Sequence, residues 1–177
     1  MKNIASLWIL TFLSLSIYAQ DTFPESWIGN YKGNLNIYSV DSIQRNAKMN
    51  LTIQKTSKDS IFDWIIRYEI NGKKDRRTYS LVVIDKEKGK YQIDEKNGIV
   101  IDSYLYNQRI VTSFFKVMGN FIVASYTKEK NTIIFEIISS KSEPVRITGN
   151  IKFKEEDIPE VKIYPVKGRQ KAILVKY

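Results

Sequence analysis

The sequence predicts an all-β protein: a single antiparallel up-and-down meander of eight to ten strands, closed into a barrel, behind a signal peptide. Three observations carry that expectation. Apolar residues recur at every second position through most of the chain, the pattern of strands with one buried face. Asn71-Gly72 and Asn97-Gly98 supply the positive-φ pairs that tight hairpins need. Beyond the leader, no segment keeps a helical period of about 3.6 residues for more than two turns.

The leader comes first. Lys2 precedes an uncharged, mostly apolar run from Ile4 to Ile17, and Tyr18-Ala19-Gln20 offers a small residue at a cleavage point. A run of about 14 residues suits a secretory signal peptide and is short for a membrane span. Residues 1–19 are therefore expected to be removed, leaving Gln20 as the N-terminus of a secreted or periplasmic protein. An uncleaved N-terminal anchor is the alternative. No second long apolar run follows, so no stable membrane span is expected after cleavage, and no continuous outward apolar band suggests an outer-membrane barrel.

Strand by strand, Trp27, Gly29, Tyr31, Gly33, Leu35 and Ile37 fall on one face, with Asn30, Lys32, Asn34 and Asn36 between them. Ala47, Met49, Leu51 and Ile53 repeat the pattern, then Phe62, Trp64, Ile66, Tyr68 and Ile70. Further strands are expected over 79–85, 91–94, 99–106, 109–117, 121–127, 132–139 and 145–153. Nearly every link is short enough for a hairpin, so consecutive strands should be neighbours. A Greek-key sandwich needs a long crossing connection, and none stands out. A meander of this size protects its edges most simply by closing on itself. Residues 20–154 are assigned to the barrel domain. Residues 155–177, broken by Pro159 and Pro165 and ending in the apolar run Ala172 to Val175, are read as a C-terminal extension: an extra hairpin packed on the barrel, or a segment that adds to a partner protein's sheet.

The opening strand Trp27-Ile28-Gly29-Asn30-Tyr31-Lys32-Gly33, with a meander behind it, resembles the calycin superfamily of lipocalins, fatty-acid-binding proteins, avidins and nitrobindin-like barrels. The resemblance spans about Ser26 to Phe153 and rests on those seven residues. It implies a lipocalin-like barrel in which Trp27 plugs one end. Several family features do not carry over. Nitrobindin-like barrels hold haem through a His, and this chain has none. Glu25 stands where lipocalins carry a Gly, and Val40 to Asn46 is too short for the helical lid of fatty-acid-binding proteins.

Composition narrows the chemistry. With 43% hydrophobic residues the chain is not disordered. Without Cys or His there is no disulfide, no thiolate or HExxH zinc site, no Ser-His-Asp triad and no His-ligated haem. No cofactor is expected. The formal charge is +9, but Lys and Arg are dispersed, apart from Lys73, Lys74, Arg76 and Arg77. A nucleic-acid module concentrates its charge on one face, so no nucleic acid partner is expected.

Ser113 and Lys116 match the spacing of an SxxK motif, which works on a helix; on a strand the two side chains point to opposite faces. Asp63, Glu69, Asp102 and Glu136 are the strand carboxylates, read as surface or rim acids rather than a glycosidase pair. The aromatic set is more informative. Trp27, Tyr31, Trp64, Tyr68, Tyr104, Phe115 and Tyr126 are the candidate lining of an apolar cavity, with Arg109 and Arg146 as candidates for an anionic group of the ligand. The alternative is a barrel packed solid with the same side chains. The expected function is non-catalytic binding of a small apolar or amphipathic, lipid-like molecule; the alternative is an envelope protein-interaction module with a filled core.

Overall fold

The computed structural model describes residues 22–39 and 42–177; the signal peptide expected over 1–19 lies outside the described residues. A 3-10 turn at Glu25–Trp27 precedes β1 (Gly29–Tyr38), β2 (Ile43–Lys55), β3 (Ile61–Ile70), β4 (Lys73–Asp85), β5 (Lys90–Asp94), β6 (Val100–Tyr106), β7 (Ile110–Val117), β8 (Asn120–Glu129) and β9 (Thr132–Lys141). Four three-residue strands follow: β10 (Arg146–Thr148), β11 (Ile151–Phe153), β12 (Glu156–Ile158) and β13 (Val161–Ile163). The chain ends in β14 (Val166–Lys176). Strands β1 to β9 pair each with the next, all antiparallel, and β14 lies between β9 and β1, so ten strands form a closed up-and-down barrel.

Period-two alternation dictates this wall. Tyr31 stands opposite Leu51, Leu51 opposite Ile66, and Ile53 opposite Trp64, which in turn faces Tyr79. One pleat face therefore gathers Tyr31, Leu35, Met49, Leu51, Trp64, Ile133, Phe135 and Leu174 into a single core. The other face carries ion pairs, alongside exposed apolar side chains such as Phe114, Ile173 and Val175. Lys48 meets Glu69 at 3.2 Å, and Glu136 takes both Arg169 (3.2 Å) and Lys171 (3.4 Å). Asn71-Gly72 turns β3 into β4 with both residues at positive φ (50° and 77°). Gly33 answers a different need. A Cβ there would sit 2.0 Å from the Ile173 carbonyl oxygen, so β1 and β14 approach closely only because no side chain intervenes.

The tenth barrel strand differs from the one expected. Residues 145–153 do not enter the wall: Gly149 (φ 77°) and Asn150 (φ 54°) interrupt them and divide β10 from β11, and the chain reverses at Lys154-Glu155 (φ 47° and 70°) to form an arm outside the barrel. These pair with β13 and β12 as two small sheets outside the barrel. Residues 155–177 divide likewise. Their first part completes this outer arm, anchored where Tyr164 meets Phe121 edge to face at 5.5 Å, and Val166–Lys176 is the wall strand that closes the barrel.

Candidate functional site

The two ends of the barrel are built differently. At one end the chain before β1 folds inward as a plug. Phe23 meets Trp27 and Tyr91 edge to face, each at 4.8 Å, and Trp27 lies 6.4 Å from Trp64. The phenols here are engaged by backbone: the Tyr31 hydroxyl donates to the Trp27 carbonyl at 2.8 Å, and that of Tyr91 to the Phe23 carbonyl at 3.4 Å. Burial pushes both tyrosines up to about 12. Lys86 ties the plug down through Glu25 at 3.1 Å. This is the closed end.

Toward the other end the interior changes character. Ile37, Tyr68, Ile70, Tyr79, Ile93 and Tyr126 pack against the core yet keep part of their surface accessible. Phe115 is half-buried on the face of β7 that carries Val111 and buried Ser113. The wall here is apolar and aromatic, and these side chains are only partly buried. Its polar groups are few. Arg77 stands over the Tyr68 ring at 5.4 Å and donates to Asp75 at 3.2 Å. Tyr79 lies beside Arg77 and Glu95.

Deeper in, Tyr126 packs edge to face on Trp64 at 5.0 Å. Burial pushes Tyr68 up to about 12, with Arg77 pulling the other way, and pushes Tyr126 higher still. The Trp64 indole N–H is buried and, among the described residues, meets no acceptor in good hydrogen-bonding geometry; the Tyr126 hydroxyl lies beside it, close enough that the indole lowers the Tyr126 pKa against the rise that burial causes. An unpaired buried donor costs about 1–3 kcal/mol. Farther round the wall, Ser103 and Ser113 form a buried hydroxyl pair, 2.7 Å apart.

The fold therefore brings Trp27, Tyr31, Trp64, Tyr68, Phe115 and Tyr126 to one interior, with Trp27 and Tyr31 in the plug and the others around the open half. Three of the expected lining residues lie elsewhere. Tyr104 is on the outer face, 42% exposed, because its neighbour Ser103 points inward to Ser113. Arg146 is exposed on β10, outside the barrel altogether. Arg109 sits in the β6–β7 turn at the closed end, 3.8 Å from Glu129, on the far side of the plug from the open half.

Sequence reasoning missed Arg77, Tyr79 and Glu95. The available signal was parity: Arg77 alternates with Tyr79 and buried Leu81, so the charge run it belongs to has an inner face. The strand carboxylates keep to the outside, Asp63 with Gln54 (2.8 Å) and Asp102 with Gln92 (2.9 Å). Ser113 is buried while Lys116 is exposed, so the SxxK pair is split across the wall.

No family model matches the chain, and no curated protein matches it. Among solved structures it is similar to an S-type phycobiliprotein lyase from Guillardia theta, with a TM-score of 0.58 over 86% of this chain and 89% of that one, at 6% sequence identity. The fold is a calycin-like barrel. At that identity the similarity concerns the path of the chain, and the interior is this protein's own.

Proposed function

We propose that this calycin-like barrel is a non-catalytic binding protein that takes a small apolar or amphipathic molecule into its open half, and that it works outside the cytoplasm, secreted or periplasmic. The observation that carries the reading is the buried Trp64 N–H without a well-placed acceptor among the described residues, beside Tyr126 and under a half-open lining of Tyr68, Tyr79, Ile70, Ile93 and Phe115. A ligand oxygen reaching Trp64 would satisfy that donor. Its hydrocarbon would gain about 25 cal/mol for each Å² removed from water against the surrounding rings. Arg77, held over Tyr68, suits a polar or anionic group left nearer the mouth. The barrel shared with a phycobiliprotein lyase supports small-molecule binding in general terms.

Native mass spectrometry of gently purified protein, followed by titration with an amphipathic fluorophore such as anilinonaphthalene sulfonate, tests this. A retained small mass or saturable binding, weakened in Trp64→Phe and Tyr68→Ala, is the expected result. A clean apo mass together with no saturable binding would overturn it. The N-terminus of exported material tests the location; Gln20 is expected, and Met1 or Lys2 would remove it.

A second reading rests on one feature. The outer arm exposes Val145, Ile147, Ile151 and Phe153, each more than half accessible. Clusters of this kind mark protein-interaction surfaces, and the clean apo result would favour that role.

A further inference from the structure

Beside the plug, at the closed end, a cleft of about 400 Å³ opens between the 3-10 turn and the β6–β7 and β8–β9 turns. That size falls within the range of small-molecule pockets, about 300–1,000 Å³. Among the described residues its polar lining comes from Thr22, Ser26, Gln108, Arg109, Lys128 and Lys130, none of them a carboxylate. Glu129 touches Arg109 from outside, at 3.8 Å, and is the one ion-pair partner of these cations among the described residues.

Two ammonium groups are held here against their mutual repulsion. Lys128 Nζ and Lys176 Nζ both stand over the Tyr31 ring, 5.5 and 6.0 Å from its centroid. Backbone carbonyls pin them: Lys128 donates to the Lys130 carbonyl, and Lys176 to that of Ile28 at 2.7 Å. Burial, and then the charge of Lys176, lowers the pKa of Lys128. Neutral donors stand alongside. The Gln108 Oε1 accepts from the Phe23 N–H at 3.3 Å, leaving its amide NH₂ for another acceptor, and Thr22 and Ser26 line the same cleft.

We propose that this cleft is an anion-binding site, separate from the barrel interior, for a phosphate-type oxyanion carrying two or more negative charges. A single carboxylate would be matched by Arg109 alone. Three lining cations, Arg109, Lys128 and Lys130, with Lys176 near Lys128 and with Thr22, Ser26 and Gln108 beside them, fit a tetrahedral, multiply charged group, and Arg109 can engage two of its oxygens at once. The cleft lies beyond Trp27 from the open half, so the site does not depend on what the interior binds.

The test uses the purified chain in low-salt buffer, since exposed charges are strongly screened by salt. Calorimetric titration with inorganic pyrophosphate forms one arm. Co-sedimentation with vesicles containing phosphatidic acid, whose phosphomonoester can carry two charges, against phosphatidylcholine vesicles, forms the other. Both are repeated on Arg109→Gln/Lys128→Gln and on a control of equal charge change, Lys58→Gln/Lys96→Gln.

One-to-one pyrophosphate binding, weakened about tenfold or more only in the first pair, assigns a soluble phosphate compound. Vesicle binding lost only in that pair, without pyrophosphate binding, assigns a lipid headgroup. Amide shifts confined to Thr22, Ser26 and Gln108 would place either ligand. Binding in neither arm, or equal weakening in the control pair, would overturn the proposal. Fluorophore binding in the barrel should be unchanged in all variants, which keeps a failure here distinct from a failure of the interior site.

Discussion

At the closed end Phe23, Trp27 and Tyr91 are at most 1% exposed and meet edge to face; at the open end Tyr68, Tyr79 and Tyr126 line the same kind of wall yet stay partly accessible. The residue types match, and the partners differ. Closed-end phenols donate to the chain's own carbonyls, whereas the open-end ones gather round Arg77 and a Trp64 N–H that has no well-placed acceptor among the described residues. An aromatic residue therefore reads as plug or as site according to where its polar atom goes. Ring count alone does not separate the two.

The most severe way to break the comparison is to remove both ends together. Deleting residues 165–177 takes out β14 and leaves β1 and β9 as unpaired edges, so cooperative urea unfolding should be lost altogether. Trp27→Ala should act on the closed end only. It is expected to cost about 3–5 kcal/mol in urea unfolding, the range for emptying a large buried aromatic site. If fluorophore binding in the folded variant fell as sharply as in Tyr68→Ala, the two ends would not be separable. Gly33→Ala forces a methyl against the Ile173 carbonyl and should cost about 1–3 kcal/mol through the β1–β14 seam.

Alkaline pH gives a graded version. Tyr31, Tyr68, Tyr91 and Tyr126 all have folded pKa values raised by burial. Their contribution is complete below pH 10, where both states hold the proton. It declines from about 10 to 12 as the unfolded chain ionises first. Urea unfolding followed from pH 9 to 12 should show that fall, and Tyr126→Phe should make it shallower. The smallest stability effect belongs to Arg77→Gln. Removing an accessible cation from above Tyr68 should change stability by no more than about 1 kcal/mol while weakening amphipathic ligands several-fold. The reverse pattern would make Arg77 a structural brace.

Much of the barrel was legible because alternation is local. Strands β1 to β9 follow from side-chain parity and from turn residues a few positions apart. The closing strand was harder to see: Lys171 and Lys176 flank its apolar run and keep it short, and its partners, β9 and β1, are set by contacts across the whole chain. Tyr104 was misplaced for a specific reason. Ser103 occupies an inward position normally apolar, and the Ser113 hydroxyl across the wall makes that tolerable. Arg77 was hidden inside a charge run whose inner face shows only when counted with Tyr79 and Leu81. Arg109 was expected to meet an anionic group of a ligand in the interior, but which end of the barrel its turn occupies is a property of the closed sheet.

The seam where the barrel shuts has a further consequence. Tyr177 donates to the Asn30 carbonyl at 3.0 Å, and Lys176 reaches Ile28, so the last residue and the beginning of the first strand are neighbours. During synthesis the ring stays incomplete until β14 has emerged, so closure waits for that strand. Once made, though, the cylinder has no privileged starting point. A circularly permuted chain, its old termini bridged by a short glycine-rich linker and new ones cut at Asn97-Gly98, should rebuild the same wall.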